Sequence, residues 1–376
     1  MHARLPNSAG FLLIAAISGR ALAAAARRAG YRPLVADLFG DTDTVSLAER
    51  TQLLPGDLQR GIDTSRLVAT LRELAGKDRP VALVLGSGCE REPGIVDELA
   101  RNFPLAGNDA AAIRRVKDPQ MLAADCGELG IPHPEFRWDP PPDPGNWVVK
   151  TAGGAGGAHV RRANGDAHST GRYFQRFVSG QSISALFVGD GQTARVVGFS
   201  RQWTSPAPGM PFRYGGAVRL RRIALEDAVT IGGWLDGLTG RAGLVGLCSA
   251  DFIRNGDGYQ LVEINPRPGA TLDIFDSIEA PLMEAHLRAA RGDTYAVPRF
   301  ADSMASMIAY ASAPVAHFPD VSWPDWTADH QSPGTTLVAG DPICTVFARG
   351  RNAGATRRIV QAQVKELQRC WGGDAT

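Results

Sequence analysis

The chain has little of what usually marks a function. Its five cysteines (Cys89, Cys126, Cys248, Cys344 and Cys370) form no C-x-x-C pair, which argues against both a disulfide framework and a cysteine zinc site and fits a reducing cytoplasm. Lys plus Arg number 40 against 39 for Asp plus Glu, a formal charge of +1, so there is no field to draw nucleic acid. The apolar run FLLIAAIS at 11–18 stops at Gly19-Arg20. It is too short to span a bilayer, and no A-x-A-type cleavage region follows a basic start, so no membrane partner is expected. Neither G-x-G-x-x-G nor G-x-x-x-x-G-K-[ST] occurs, which removes the dinucleotide fingerprint and the Walker loop. The seven histidines show no ligand spacing, and no Ser-His-Asp or Cys-His constellation stands out.

What is present is substantial. At 376 residues with 44% hydrophobic content, the chain can bury two or three domain cores. Residues 11–40 read as strand, Ser18-Gly19-Arg20 turn, alanine-rich helix and strand, one βαβ unit. PVALVLGSG at 80–88 reads as a second parallel strand ending in the turn Ser87-Gly88, where ligands of open parallel sheets sit. Residues 108–130 look helical and close at Gly130 before Ile131-Pro132.

After the proline-rich loop at 140–144, NWVVKTAGGAGGAHV supplies a strand with Lys150, a loop with Gly153, Gly154, Gly156 and Gly157, and a returning strand. Such a loop can bring backbone N–H groups to phosphate oxygens while the lysine adds charge. By itself it would equally suit a flexible hairpin tip. His159 beside it reads as a surface residue. RYFQRFVSGQSISALFVGDGQTARVVGFSRQW at 172–203 reads as antiparallel strands turning around Gly180 and Gly189-Asp190-Gly191. Residues 204–216 form a long loop of the kind that serves as a lid, and 225–241 read as an amphipathic helix.

The most informative stretch is LVEINPRPGATLD at 261–273. Strand alternation points Glu263, Asn265 and Arg267 to one side, and oxygen donors followed by a fixed cation suit a magnesium ion bridging nucleotide phosphates. The preceding strand carries Asp251. A two-residue turn would set Asp251 opposite Val262, whereas a three-residue Gly256-Asp257-Gly258 loop sets it opposite Glu263. The second register gathers Asp251, Glu263 and Asn265 and is the one expected. The tail from about 299 offers β-prone runs, MASMIAYAS, TTLVAG and ICTVFARG, and a final helix.

With Lys150, the glycine loop, FQRFVSGQSIS and the Asp251…Glu263-Ile264-Asn265 hairpin in one order, the chain resembles the ATP-grasp superfamily of ligases. Through RALAAAARRAGY, LFGDTDT, GSGCE and PGTTLVAGDPICTVFARG it resembles the group described only as predicted ATP-dependent carboligases. The resemblance implies an α/β (α+β grasp) class: a Rossmann-like pre-grasp domain over 1–108, an ATP-grasp domain over 109–298 holding ATP between two subdomains (the lid near 148–180), and a small β-rich region over 299–376. It implies ATP and Mg2+ as cofactors, with Mn2+ as a substitute for the metal, and a homodimer is the expected assembly.

Position by position, Lys117 and Lys150 look like the phosphate-contacting lysines, and Gly153 to Gly157 like the closing loop. Gln175, Arg176, Phe177 and Val178 sit where the adenine-contacting linker runs, and Asp251, Glu263 and Asn265 look like the metal ligands. Ser182 falls where a ribose-binding carboxylate often stands. The catalytic assignments are Lys150 and Arg267. Arg20, Ser87, Gly88, Arg213, Tyr214 and Arg267 are the substrate candidates, and arginines there favour an anionic acid. The expected activity is an ATP-dependent carboxylate–amine ligase that joins a small carboxylic acid to an amine through an acylphosphate. A kinase or carboxylase on the same fold and a non-catalytic nucleotide binder stand as alternatives.

Overall fold

A computed structural model of the chain describes residues 10–58 and 60–371, with side chains through 369. The first nine residues of the expected pre-grasp region and the Cys370 side chain fall outside the described residues. The other four cysteines are buried and free.

The first layer is a parallel sheet in the order β3-β2-β1-β6-β7. It is formed by β1 (Phe11–Ala15), β2 (Arg32–Asp37), β3 (Arg50–Leu53), β6 (Ala82–Leu85) and β7 (Leu105–Ala106), with a small hairpin of β4 (Gly56–Asp57) and β5 (Gly61–Ile62) at its rim. Leu12, Leu13 and Ile14 are fully buried, as expected of a strand covered on both faces. Helices α1 (Arg20–Arg28), α2 (Thr42–Leu47), α3 (Leu67–Ala75) and α4 (Gly94–Asn102) make the crossovers.

The expected single helical stretch after 108 is two helices, α5 (Ala110–Lys117) and α6 (Pro119–Glu128). Asp118 between them is extended and accepts from the backbone N–H groups of Gln120 and Met121, with Pro119 at the first helical position. An N-cap followed by proline restarts a helix, although the apolar periodicity runs straight through the break.

A second sheet, in the order β10-β9-β11-β8, contains β8 (Phe136–Arg137), β9 (Trp147–Thr151), β10 (Val160–Arg162) and β11 (Arg172–Arg176). Strand β11 was expected to turn around Gly180 and pair with the next strand. Instead it pairs with β9 and β8, and residues 177–180 cross to a third sheet.

That third sheet has eight strands in the order β16-β15-β12-β13-β14-β17-β19-β18: β12 (Gln181–Asp190), β13 (Ala194–Thr204), β14 (Tyr214–Leu220), β15 (Val245–Asn255), β16 (Gly258–Asn265), β17 (Ser303–Tyr310), β18 (Thr327–Ala328) and β19 (Pro342–Gly350). Helix α7 (Leu225–Ala242) packs on one face through Ile231, Leu235 and Leu238. Helices α8 (Leu272–Phe275) and α9 (Leu282–Ala290) lie between this sheet and the first. The expected β-rich tail is not a separate sheet: β17 pairs with β14 through Gly216, Ala217 and Val218, and α10 (Ala353–Trp371) covers it through Val360, Val364 and Leu367. TTLVAG contributes only an isolated bridge between Val315 and Leu337.

One buried guanidinium ties these parts together. Arg20, at the start of α1, gives two bonds of 2.8 Å to Asp273 of α8 and two of 3.0 and 3.1 Å to Asp329 of the tail. All of its donor nitrogens are committed, so the expectation that Arg20 meets a substrate is corrected: it is a joint. Removing one member of such a buried group leaves uncompensated charge. Arg20→Gln should therefore lower unfolding stability by about 3–5 kcal/mol in denaturant titration. A change below about 0.5 kcal/mol would show that the joint carries no weight.

Candidate active site

The site grows from a polar row on one face of the large sheet. Residues directly opposite in antiparallel strands share a face, and the register places Ser200, Ser184, Asp251 and Glu263 in line across β13, β12, β15 and β16. Ser249 and Asn265 form the adjoining pair. The register that faces Asp251 with Glu263 is the expected one, but its cause is different. The turn is the two-residue Gly256-Asp257, since Asn255 pairs with Gly258, and the register shifts between Asp251 and Phe252. Val262 is the extra residue of a β-bulge, a device that re-aims side chains beside functional sites.

The oxygens of this row converge. Lys117, the last residue of α5, sends its Nζ to Glu263 Oε1 at 2.6 Å and to Asn265 Oδ1 at 2.9 Å. Asn265 Nδ2 donates to Asp251 Oδ2 at 2.9 Å, and Gln202 Nε2 lies 3.4 Å from Asp251 Oδ1. From the facing sheet Lys150, on β9, reaches the carbonyl of bulged Val262 at 3.3 Å. Burial pushes the Glu263 carboxyl up, but Lys117, Lys150 and His159 outweigh it and hold it at about 2. Burial and then Glu263 push Asp251 up. For Lys150, burial, aided by Lys117, wins over the attraction of Glu263 and lowers its pKa.

The donor set fits Mg2+. Two carboxylates and an amide oxygen gathered where an ammonium already sits are hard oxygen ligands, and Mg2+ ordinarily completes such a partial shell with phosphate and water oxygens. Among the described residues no group of three or more His, Cys, Asp or Glu could hold a metal by itself. A cation here would therefore depend on the phosphates it accompanies.

The glycine loop closes over this row. Gly153, Gly156 and Gly157 all have positive φ, at 68°, 65° and 71°. A Cβ on Gly157 would lie 2.0 Å from the Phe212 carbonyl, and one on Gly153 would lie 2.6 Å from the Glu90 carbonyl. Tyr214 N donates to Gly156 O at 2.9 Å. The loop is therefore seated against both the 204–216 segment and the first sheet. Gly154 packs on the ring of His159.

The remaining candidates divide. Gln175 is buried on β11 beside His133, whose pKa falls to about 4 through burial and the nearby Lys150. Phe177 donates its N–H to Asn146 O and lies under the Arg162 guanidinium. Arg176 is exposed and sits 3.7 Å from Asp143, so its side chain turns away from the row. Val178 is half-buried in the crossing segment, and Ser182 sits on the polar face two residues before Ser184.

Arg213, expected at the substrate, donates to Ser205 O and Gly340 O and lies 3.6 Å over the Tyr310 ring. It braces the long loop. Tyr214 is fastened through its main chain to Gly156 and Tyr310. Ser87 accepts from Ile17 N through its carbonyl, and Gly88 N donates to Glu90 Oε2. Arg267 is not extended along the strand face: its Nε meets Glu90 Oε1 at 2.6 Å.

Sequence reasoning passed over Glu90, Ser184 and Gln202, and read His159 as a surface residue. The period-2 polar positions in QSIS, CSAD and EIN could have revealed Ser184, whereas nothing local marks Glu90.

The comparisons bear on the fold. Residues 125–271 match the family model of the ATP-grasp domain. A solved structure of Rhizobium etli pyruvate carboxylase with acetyl coenzyme A is 13% identical at a TM-score of 0.70, covering 95% of this chain and 39% of that one. The biotin carboxylase domain dimer of Hydrogenobacter thermophilus 2-oxoglutarate carboxylase, with MgADP, ADP and bicarbonate, is 12% identical at 0.68, covering 93% and 89%. Staphylococcus aureus N5-carboxyaminoimidazole synthetase is 11% identical at 0.67, covering 97% and 100%. At these identities the likeness shows the fold, and this chain spans about two fifths of the pyruvate carboxylase. No curated protein matches the chain. Fold and matched domain together define an ATP-grasp architecture, with the glycine-loop sheet facing the large antiparallel sheet. The chain carries an ATP-grasp domain over residues 125–271.

His159 is not the surface residue expected. It sits among charges: burial lowers its pKa, Glu263 raises it, and Lys150 and Lys117 lower it again, to about 4. The ring should therefore stay neutral from pH 5.5 to 8. NMR titration of its ring protons should be flat over that range, and a midpoint near 6.5 would contradict the placement.

Proposed function

We propose that this protein is an ATP-dependent carboxylate–amine ligase releasing ADP and phosphate. The observation that carries the reading is the convergence of Lys117 and Lys150 with Asp251, Glu263 and Asn265 beneath a seated glycine loop. Mg2+ entering with the nucleotide would be held by Asp251, Glu263 and Asn265, with Mn2+ able to replace it, and would neutralise phosphate charge.

The chain's own residues do the positioning. N–H groups of the 153–157 loop cradle the phosphates, Lys150 and Lys117 offset their charge, and the 175–178 linker lies along the base with Ser182 toward the ribose. Arg267, at the γ-phosphate end, holds oxygens with its planar fork. An oxygen of the acid attacks the γ-phosphorus as the bond to the bridging oxygen breaks, and ADP leaves. The amine nitrogen then attacks the acyl carbon, phosphate departs, and the nitrogen's proton passes to solvent. Positioning and charge account for such a transfer without a protein nucleophile. The substrates are small molecules, and no described helix is long and apolar enough to cross a membrane.

A second reading, carboxylation, is favoured by one observation: the similar structures are carboxylating enzymes by name, and one holds bicarbonate. There bicarbonate takes the place of the acid. ADP release, measured with Mg2+ against pooled carboxylic acids and pooled amines with mass spectrometry of products, decides between them. The ligase requires both pools and yields an amide. Release with bicarbonate in place of the acid supports carboxylation, and release with the acid alone to a stable acylphosphate supports a kinase. No turnover with ATP binding intact would overturn catalysis altogether.

Lys150 gives a sharper test once substrates are known. Lys150→Met should lower kcat/KM by at least about 100-fold, about 2.7 kcal/mol, if it touches the transferred phosphate. An effect within a few-fold would return it to a buried structural lysine.

A further inference from the structure

Glu90 follows the turn at the carboxyl end of β6 and is buried, at 5% exposure. No phosphate-gripping role is assigned to it, yet its two oxygens are both used. Oε1 accepts from Arg267 Nε at 2.6 Å, and Oε2 accepts from Gly88 N at 2.7 Å. The second bond fixes the carboxylate to the first sheet, so the first bond fixes the guanidinium relative to that sheet. Only Nε is taken this way. Nη1 lies 3.3 Å from Pro268 O, and Nη2 makes no hydrogen bond among the described residues.

Glu90 is pushed up by burial, but Arg267 and Lys117 outweigh this and hold it below the usual carboxylate range, while Arg267 offsets a small part of the upward push on Asp251. Geometry sets the guanidinium beside the oxygen row: Arg267 follows Asn265 by two residues, and a Cβ on Gly269 would stand 3.0 Å from Arg267 Nη1 and 4.0 Å from Oγ of Ser249, which pairs with Asn265. The same turn also supports the glycine loop, since the Glu90 carbonyl and Arg91 Cα leave no room for a Cβ on Gly153, at 2.6 and 2.8 Å.

We propose that Glu90 is a positioning residue that holds Arg267 by its Nε, so that the Nη2 edge meets the terminal phosphate of a bound nucleoside triphosphate. This rests on the reading of Arg267 given above. A long arginine side chain without such a hold would lose its direction to rotamer freedom, and a charge-assisted bond at a fixed angle supplies that direction. The first sheet thereby acts on the phosphate site without touching the nucleotide.

The test compares the affinity of the full chain for two probes, the magnesium complexes of β,γ-imido ATP and of ADP, by calorimetry. Arg267→Ala should weaken the triphosphate analogue about 10-fold more than ADP, the loss of one charge-assisted contact. Glu90→Ala should reproduce at least about half of that shift on a logarithmic scale, and adding it to Arg267→Ala should change the ratio by less than about 2-fold. Glu90→Gln, which keeps the shape but only one acceptor oxygen and no charge, should fall between wild type and Glu90→Ala; if Glu90→Ala does not fold, Glu90→Gln decides by the same ratio. A loss that is equal for both probes, or that adds fully to Arg267→Ala, would mark a merely structural role and overturn the proposal. If Arg267→Ala shifts the ratio and neither Glu90 variant does, the proposal falls while the role of Arg267 stands. If Arg267→Ala leaves the ratio unchanged, that role falls and the proposal with it.

Discussion

The site depends on a mutual constraint among charges that could not be buried singly. Lys117 and Lys150 are at most 9% exposed, and the half-buried carboxylates of Asp251 and Glu263 lie beside them. An isolated ion in such a place costs several kcal/mol after relaxation, and attraction offsets this only when geometry and hydrogen bonding are good. Here Lys117 bridges Glu263 and Asn265, and Asn265 turns its amide to Asp251, so each group is satisfied by another. The arrangement needs Asp251 opposite Glu263. A single bulged residue, Val262, provides that register, and its carbonyl receives Lys150 from the opposite sheet. One irregularity in a hairpin thus aligns the oxygen row and ties the two facing sheets.

How far the sequence could be read follows from the range of each interaction. The βαβ start, the Lys150 strand, the glycine loop and α7 depend on local periodicity and turn residues, and all appear where expected. The Asp251–Glu263 pairing was legible, but only because the polar positions demanded it; the bulge itself leaves no mark in the residues. Long-range pairings were not legible. That β17 extends the central sheet through β14 depends on strands about 90 residues apart, and β-propensity says nothing of a partner. The segment after Arg176 looked like a hairpin because Ser179-Gly180 suits a turn. The chain instead uses it to step between sheets, and a Cβ on Gly180 would stand 2.4 Å from Arg254 O.

The arginines show why residue type alone misleads. Arg20, Arg213 and Arg267 all looked suited to an anionic ligand, and all three carry carboxylate or carbonyl partners in the fold. What separates them is the number of donors left. Arg20 spends Nε, Nη1 and Nη2 on Asp273 and Asp329, and Arg213 spends all three nitrogens on Ser205 and Gly340 while lying over Tyr310. Each is anchored at every nitrogen, so neither can be turned toward a new ligand without breaking what it already holds. Arg267 differs because its protein contacts occupy Nε and Nη1 and leave the Nη2 edge for a ligand.

That difference connects the first sheet to chemistry in two separable ways. Through Arg20 it is joined to α8 and the tail by a buried ion cluster whose effect is on stability, because every nitrogen of the guanidinium is anchored to a protein carboxylate. Through Glu90 it meets a side chain adjoining the oxygen row, and through the Glu90 carbonyl it meets the glycine loop. Both contacts arise from one turn, residues 87–91, at the carboxyl end of a parallel strand, the place where open α/β sheets gather ligands. In this chain that end meets the glycine loop and Arg267, so a ligand seated on it would lie within reach of the arginine that the same turn holds.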